Sequence, residues 1–322
     1  MKNFVWIITF ALSMTACQHP TTAYITNQGD HTVSVVNTQS RQVTATIPVG
    51  KAPVGIAVSA TLKRAYVTNV EGQSISVINT ALNQVEDVIS VAGSPVGITL
   101  SPDQKTLYVA DWFSDAILSI PTSNHQAQRQ LTVPKAPAGL VVSPDNKTLY
   151  VATRDSNQVA LINTDDFTVK HRIDVGKHPF GIALSNDGTQ LYTVNVYDNT
   201  VSVVNTQAPY QIMATIKVGE HPYCAVASPD RNTLYVTNTQ DDTVSVIDLS
   251  TYKTIATVDV GMTPEGISYD ATHRQVLTAN WGTNDVSIID AQTNKVIATV
   301  KTGDKSRAFG QFVLTPPQTS TH

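Results

Sequence analysis

Apolar and polar positions alternate along this chain in short runs, and the runs recur. The clearest copy is Val218-Gly-Glu-His-Pro-Tyr-Cys224, then Ala225-Val-Ala-Ser-Pro-Asp230, then Leu234-Tyr-Val-Thr-Asn238, then Thr243-Val-Ser-Val-Ile247, then a last run from Thr254 to Val260. Runs of Val, Ile, Thr and Tyr bounded by Gly, Pro, Asn and Asp predict strands separated by tight turns. Each copy therefore predicts four short strands. No helical period is sustained after residue 16.

The position of the tetrapeptide sets the repeat. It appears as Tyr24-Ile-Thr-Asn27, Tyr66-Val-Thr-Asn69, Tyr108-Val-Ala-Asp111, Tyr150-Val-Ala-Thr153, Tyr192-Thr-Val-Asn195, Tyr235-Val-Thr-Asn238 and Leu277-Thr-Ala-Asn280, with successive starts 42, 42, 42, 42, 43 and 42 residues apart. Four strands at a period in the low forties are the pattern of a β-propeller, in which a single blade cannot bury its own faces. The expected fold is an all-β, seven-bladed propeller of four-stranded antiparallel blades over residues 23–316. The chain resembles the YVTN-repeat β-propeller family, named for this tetrapeptide. The resemblance implies the fold; it leaves function open, because one propeller hosts many activities.

The register predicts how the ring closes. Ala23-Tyr-Ile-Thr-Asn27 matches the second strand of a repeat, so blade one lacks an innermost strand of its own. The C-terminal stretch Gly303-Asp-Lys-Ser-Arg-Ala-Phe-Gly310, followed by Gln311-Phe-Val-Leu314, resembles a turn plus first strand. Phe309 to Leu314 is therefore expected to pair in the N-terminal blade and remove an open edge. Residues 317–322 are a polar tail. The topology also fixes two faces. The Ser-Pro-Asp turns lie below; the Gly-x-x-Pro loops and the five-residue loops after the Asn position lie above.

The N-terminal stretch breaks the pattern. Lys2 precedes an apolar run, Phe4 to Met14, too short to span a bilayer. Met14-Thr-Ala-Cys17 resembles a bacterial lipobox. That resemblance implies a signal peptide over residues 1–16, lipidation at Cys17, and a tether over 17–22 that holds the protein to the membrane. Gln18 after the lipidated residue points to the outer membrane, facing the periplasm. From Gln18 to Thr22 the chain reaches roughly 17 Å, which puts the lower face over the membrane. With Cys17 lipidated, Cys224 has no disulfide partner, because the chain has 2 cysteines. The net charge of −4 gives no global drive toward nucleic acid or anionic lipid.

No phosphate-binding loop, zincin motif or Cys-x-x-Cys pair is present, so candidate chemistry lies where one blade departs from the repeat on the upper face. His178 and His221 occupy equivalent positions in Gly-Lys-His-Pro and Gly-Glu-His-Pro. Cys224 replaces the Gly found as Gly55, Gly97, Gly139, Gly181 and Gly266, and Glu265 follows Pro264. Two His, a Cys and a Glu are candidates for a catalytic or metal cluster, with His178 and His221 as the candidate ligands of a divalent metal. No other cofactor is expected. The competing reading is ordinary loop polarity.

The loops after the Asn position carry Trp112, Phe113, Arg154, Tyr197 and Trp281, and aromatics on one face suggest stacking on sugars, bases or peptide. With Tyr223, Lys177 and Arg307 they form the candidate ligand-binding set. Against this, Trp112 and Trp281 are also placed to cover neighbouring blades. The Gly-x-x-Pro loops bring Lys51, Lys135, Lys177, Lys305 and Arg307 toward the centre, and the outer loops bring Asp30, Glu71, Asp115, Asp155, Asp198, Asp241, Asp242 and Asp285. A basic centre inside an acidic rim favours a small anion over a polyanion.

The leading expectation is an envelope lipid-anchored module that binds a small molecule or an envelope protein through its upper face. The pattern favours this over an enzyme. The alternatives are a lactonase-like hydrolase or lyase at the channel mouth, and single-stranded DNA binding, which a family relative suggests, the aromatics permit and the acidic rim opposes.

Overall fold

The computed structural model describes residues 21–315. The leader, Cys17 and the polar tail lie outside the described residues. Seven sheets follow one another, and their inner strands touch in cyclic order around a central channel. Six sheets have four strands and one has five. Strand Leu-Tyr-Val-Thr-Asn of blade six, Thr233–Asn238, shows why the repeat folds this way. Blades pack on one another through both faces, so all six of its residues are buried. The outer strand Lys253–Asp259 touches a neighbour on one side only, and is mostly exposed. The one helical element among the described residues is a single 3-10 turn, Arg154–Ser156.

Each letter of the tetrapeptide has a structural task. Tyr fills the space between blades: Tyr24, Tyr66, Tyr192 and Tyr235 are all 1% exposed or less, and burial of such a ring stabilises by about 1.5–3 kcal/mol. Thr ties blades together. Thr68 Oγ1 accepts the Gly55 amide at 2.7 Å and donates to the Val96 carbonyl of the next blade at 2.9 Å. Thr26 and Thr237 make the equivalent bonds. Asn works within its blade. Asn238 Nδ2 donates to the Thr243 and Ser245 hydroxyls, both at 2.9 Å. Blade three has Asp111 with Ala116 and Leu118 at those positions; its carboxylate instead accepts the Ser94, Phe113 and Ser114 amides.

The ring closes through the C-terminal segment, with one feature that the repeat does not announce. Val313–Leu314 pairs antiparallel with Thr22–Asn27 of blade one, as expected. Ser306 bridges Asn27. Between Ser306 and Val313 the chain takes seven steps opposite the four from Asn27 to Ala23, whereas Pro222 to Ala227 covers the same span of blade six in five. The two extra residues bulge into the channel. Phe309–Gln311 leaves blade one and adds a parallel strand to the inner strand Pro53–Ser59 of blade two. Gly310 permits this: its φ is +120° and an added Cβ would lie 2.4 Å from the Ile56 carbonyl oxygen.

Candidate functional site

The residue after each loop proline faces the upper channel mouth: Val54, Val96, Ala138, Phe180, Tyr223 and Glu265, with Arg307 in the closing segment. Small aliphatic side chains serve blades two to four. Phe180 and Tyr223 stack at 4.0 Å, and the bulged Phe309 packs on Phe180 at 4.9 Å. These three rings plug the mouth. Beneath them lies a cavity of about 220 Å³, whose lining includes Gly97, Gly139, Gly181, Cys224 and Gln311.

Beside the plug, Arg307 Nε pairs with Glu265 Oε2, and Arg307 Nη2 donates to Tyr223 Oη at 3.0 Å. Arg307 Nη1 also donates to Gln28 Oε1 at 3.3 Å. Burial raises the Glu265 carboxyl, and Arg307 counters that in part. Burial works against the Arg307 charge, but Tyr223 and Glu265 more than compensate and hold the guanidinium protonated. Cys224 is 5% exposed in the cavity wall, and burial pushes its thiol well above the ordinary value, with Glu265 adding to the rise. A thiol so placed is an inert wall residue rather than a nucleophile.

The two histidines lie apart from this network. His178 packs on Tyr197 with ring centroids 4.1 Å apart, and His221 approaches the same ring at 5.6 Å. Both histidines therefore share Tyr197 as a neighbour. Arg154 lies over Trp112 at 5.1 Å and over Tyr197 at 5.9 Å, and its Nη1 donates to Asp155 Oδ1 at 2.7 Å. Trp112 in turn packs on Phe180 at 5.5 Å, joining this patch to the plug. Tyr197 is 54% exposed and Phe113 75%. Burial lowers the pKa of both histidines, and Arg154 lowers each further; Asp155 offsets this in part at His178. Both shifts favour the neutral imidazole.

The expected cluster of His178, His221, Cys224 and Glu265 does not assemble. The histidines pack with Tyr197, Cys224 lies in the cavity wall at 5% exposure, and Glu265 is committed to Arg307. Among the described residues, no three His, Cys, Asp or Glu side chains are grouped to hold a metal. The left-handed backbone of His178 and His221 belongs to the repeat, since Ala52, Ala136, Thr263 and Lys305 share it.

The acidic rim also reads differently in three dimensions. Asp115, Asp198, Asp241, Asp242 and Asp30 accept the backbone amides of Ala136, Lys177, Glu220, Thr263 and Asp304. Asp115 and Asp242 thereby staple loops of adjacent blades, and Asp198, Asp241 and Asp30 brace the entry loop of their own blade. The basic centre is neutralised in part: Lys177 lies 3.9 Å from Asp198, Lys51 lies 3.7 Å from Glu71, and Arg307 is paired with Glu265. Lys305 sits over Trp281 at 5.5 Å, and Trp281 Nε1 donates to Gln28 Oε1 at 3.5 Å, so this Trp covers the junction of blades seven and one. The expected small-anion centre is therefore not what these loops build.

The repeat did not mark Phe180, and it gave Phe309 only as the start of the closing strand and Asp155 only as part of the acidic rim. A jump from Val or Ala to Phe after the loop proline, and the two extra residues before Val313, were the available signals.

A family model described as YNCE-like beta-propeller matches residues 8–305. The chain belongs to that family. No curated protein matches it. Among solved structures, the YNCE-like propeller is similar to the Kuenenia stuttgartiensis hydrazine synthase, at 21% identity and TM-score 0.76 over 88% of this chain and 99% of that one. It is similar to a functionally unknown protein from Desulfotomaculum acetoxidans DSM 771, at 17% identity and TM-score 0.77 over 90% and 99%. A third, dihydro-heme d1 dehydrogenase NirN in complex with DHE, has 14% identity and TM-score 0.68 over 87% of this chain and 63% of that one. At these identities the likeness is one of fold.

Proposed function

We propose that this protein is an envelope lipoprotein whose propeller binds a ligand on its upper face, at the patch of Trp112, Arg154, His178, Tyr197 and His221. One observation carries the reading. Tyr197 is 54% exposed, yet its ring already packs on His178 and lies close to His221 and Arg154. An exposed aromatic fixed in place beforehand loses little conformational entropy when a ligand stacks on it. Because Phe180, Tyr223 and Phe309 plug the mouth, the ligand sits on this surface rather than in the channel. A hydrolase or lyase would need acid and base groups converging on one point, and the histidines here share a ring instead.

The lipid at Cys17 would hold the lower face at the outer membrane and turn the patch toward the periplasm. Thermal shift on a soluble form starting at Gln18 tests the binding face, with divalent metals, lactones, sugars and short oligonucleotides as probes. Ligand binding stabilises the fold by mass action. The expected result is a shift that disappears in Tyr197→Ala. A shift that persists in that variant, or none with any probe, would refute a small-ligand site on this face. The anchor is tested by fatty-acid labelling of the full chain, which Cys17→Ser is expected to abolish and which, if retained, removes the lipoprotein reading.

A further inference from the structure

We infer that the upper-face patch takes a neutral saccharide, one sugar ring stacking on Tyr197 while its hydroxyls engage the Arg154–Asp155 pair; this rests on the binding face proposed above. Three features of the patch select this chemistry. The first is exposed flat apolar surface, Tyr197 at 54%, which suits the C–H face of a sugar ring. The second is local charge balance. Arg154 Nη1 is bonded to Asp155 Oδ1 at 2.7 Å, and Lys177 lies 3.9 Å from Asp198. A phosphate ligand would meet those carboxylates and would need to displace them from the cations. A nucleic acid draws its affinity from cations free to neutralise phosphates, and here Arg154 and Lys177 each already face a carboxylate.

The third feature is the supply of donors and acceptors. A guanidinium has five N–H groups, and Asp155 takes one of them here. The others remain for ring or hydroxyl oxygens. Asp155 is 42% exposed and has acceptor capacity left for a sugar hydroxyl, so adjacent hydroxyls match the pair as donor and acceptor. His178 Nδ1 is a buried atom with no hydrogen-bond partner, 3.8 Å from Asp155 Oδ1.

The test uses the form starting at Gln18 and three neutral probes: malto-, cello- and chito-oligosaccharides. A thymidine oligonucleotide serves as the charged comparison. Binding is read by calorimetry and by Trp fluorescence, at low and high salt. The expected result is saturable binding of at least one oligosaccharide, insensitive to salt and weakened by at least about tenfold in Tyr197→Ala. Asp155→Asn, at a side chain that is 42% exposed, provides a second variant expected to weaken the same probe. The inference falls if no oligosaccharide binds or if binding survives Tyr197→Ala. It also falls if only the oligonucleotide binds, with an affinity that drops as salt rises. In that last case loss in Tyr197→Ala would leave the binding face standing while its ligand class changed; failure of every probe would take both.

Discussion

Arg307 Nη2 donates to the Tyr223 hydroxyl at 3.0 Å, fastening the closing segment to blade six across the channel mouth. The same guanidinium neutralises Glu265 of blade seven, which is 8% exposed. Removing Arg307 alone leaves a buried carboxylate without its partner. Arg307→Ala is therefore expected to cost about 3–5 kcal/mol in denaturant unfolding. Replacing both members, Arg307→Met with Glu265→Leu, is expected to cost less than the single change. Equal or greater loss in the double variant would show that the pair is not held by mutual charge compensation.

Phe309 separates Cys224 and the cavity from the upper face. Phe309→Ala is expected to cost about 3–5 kcal/mol as a large-to-small change. It is also expected to make the Cys224 thiol reactive toward a thiol reagent under native conditions, where the parent protein is inert. Unchanged reactivity would mean that the ring is not what seals the channel.

Removing residues 309–322 deletes this plug, the strand Val313–Leu314 and Phe312, which is fully buried. The whole ring is expected to lose stability, since closure abolishes the open edge between first and last blades. A truncated chain that melts at the parent temperature would overturn this account of closure.

Acid is expected to destabilise the fold through His178 and His221. Their folded pKa values are depressed by burial and by Arg154. The unfolded chain then binds protons first as pH falls. The stability they contribute is present above the unfolded histidine value, about 6.5, and is lost as pH drops through the lower folded values. The fall in Tm between neutral and mildly acidic pH should be shallower in a His178→Gln/His221→Gln variant. Parallel profiles would place the acid sensitivity elsewhere.

The inter-blade glycines are expected to be intolerant for a reason of space. A Cβ on Gly97 would lie 2.1 Å from the Ala138 carbonyl oxygen of the next blade. Gly97→Ala should cost about 1–3 kcal/mol by overpacking, measured by denaturant midpoint. A neutral effect would show that the blades can separate at little cost.

Fold and closure were legible because they follow from local features repeated every 42 residues or so. Alternation gives each strand its buried faces, Gly and Pro place its turns, and a missing first strand at one end is answered by a spare one at the other. The candidate site was legible only as a set of loop positions. Trp112, Arg154, His178, Tyr197 and His221 were all marked by their departure from the repeat, and they do meet. Glu265 and Cys224 were marked by the same criterion, yet they serve a salt bridge and a channel wall.

The sequence by itself determined the number of blades, their strand order and which loops share a face, because periodic burial is set residue by residue along the strand. Tertiary structure alone decided the partners. Tyr197 packs with two histidines, Phe309 leaves its own blade to plug the mouth, and Arg307 reaches Glu265 and Tyr223 from segments 42 and 84 positions away. Those outcomes depend on side-chain direction and close packing between blades, which a repeat that treats its loops as equivalent does not specify.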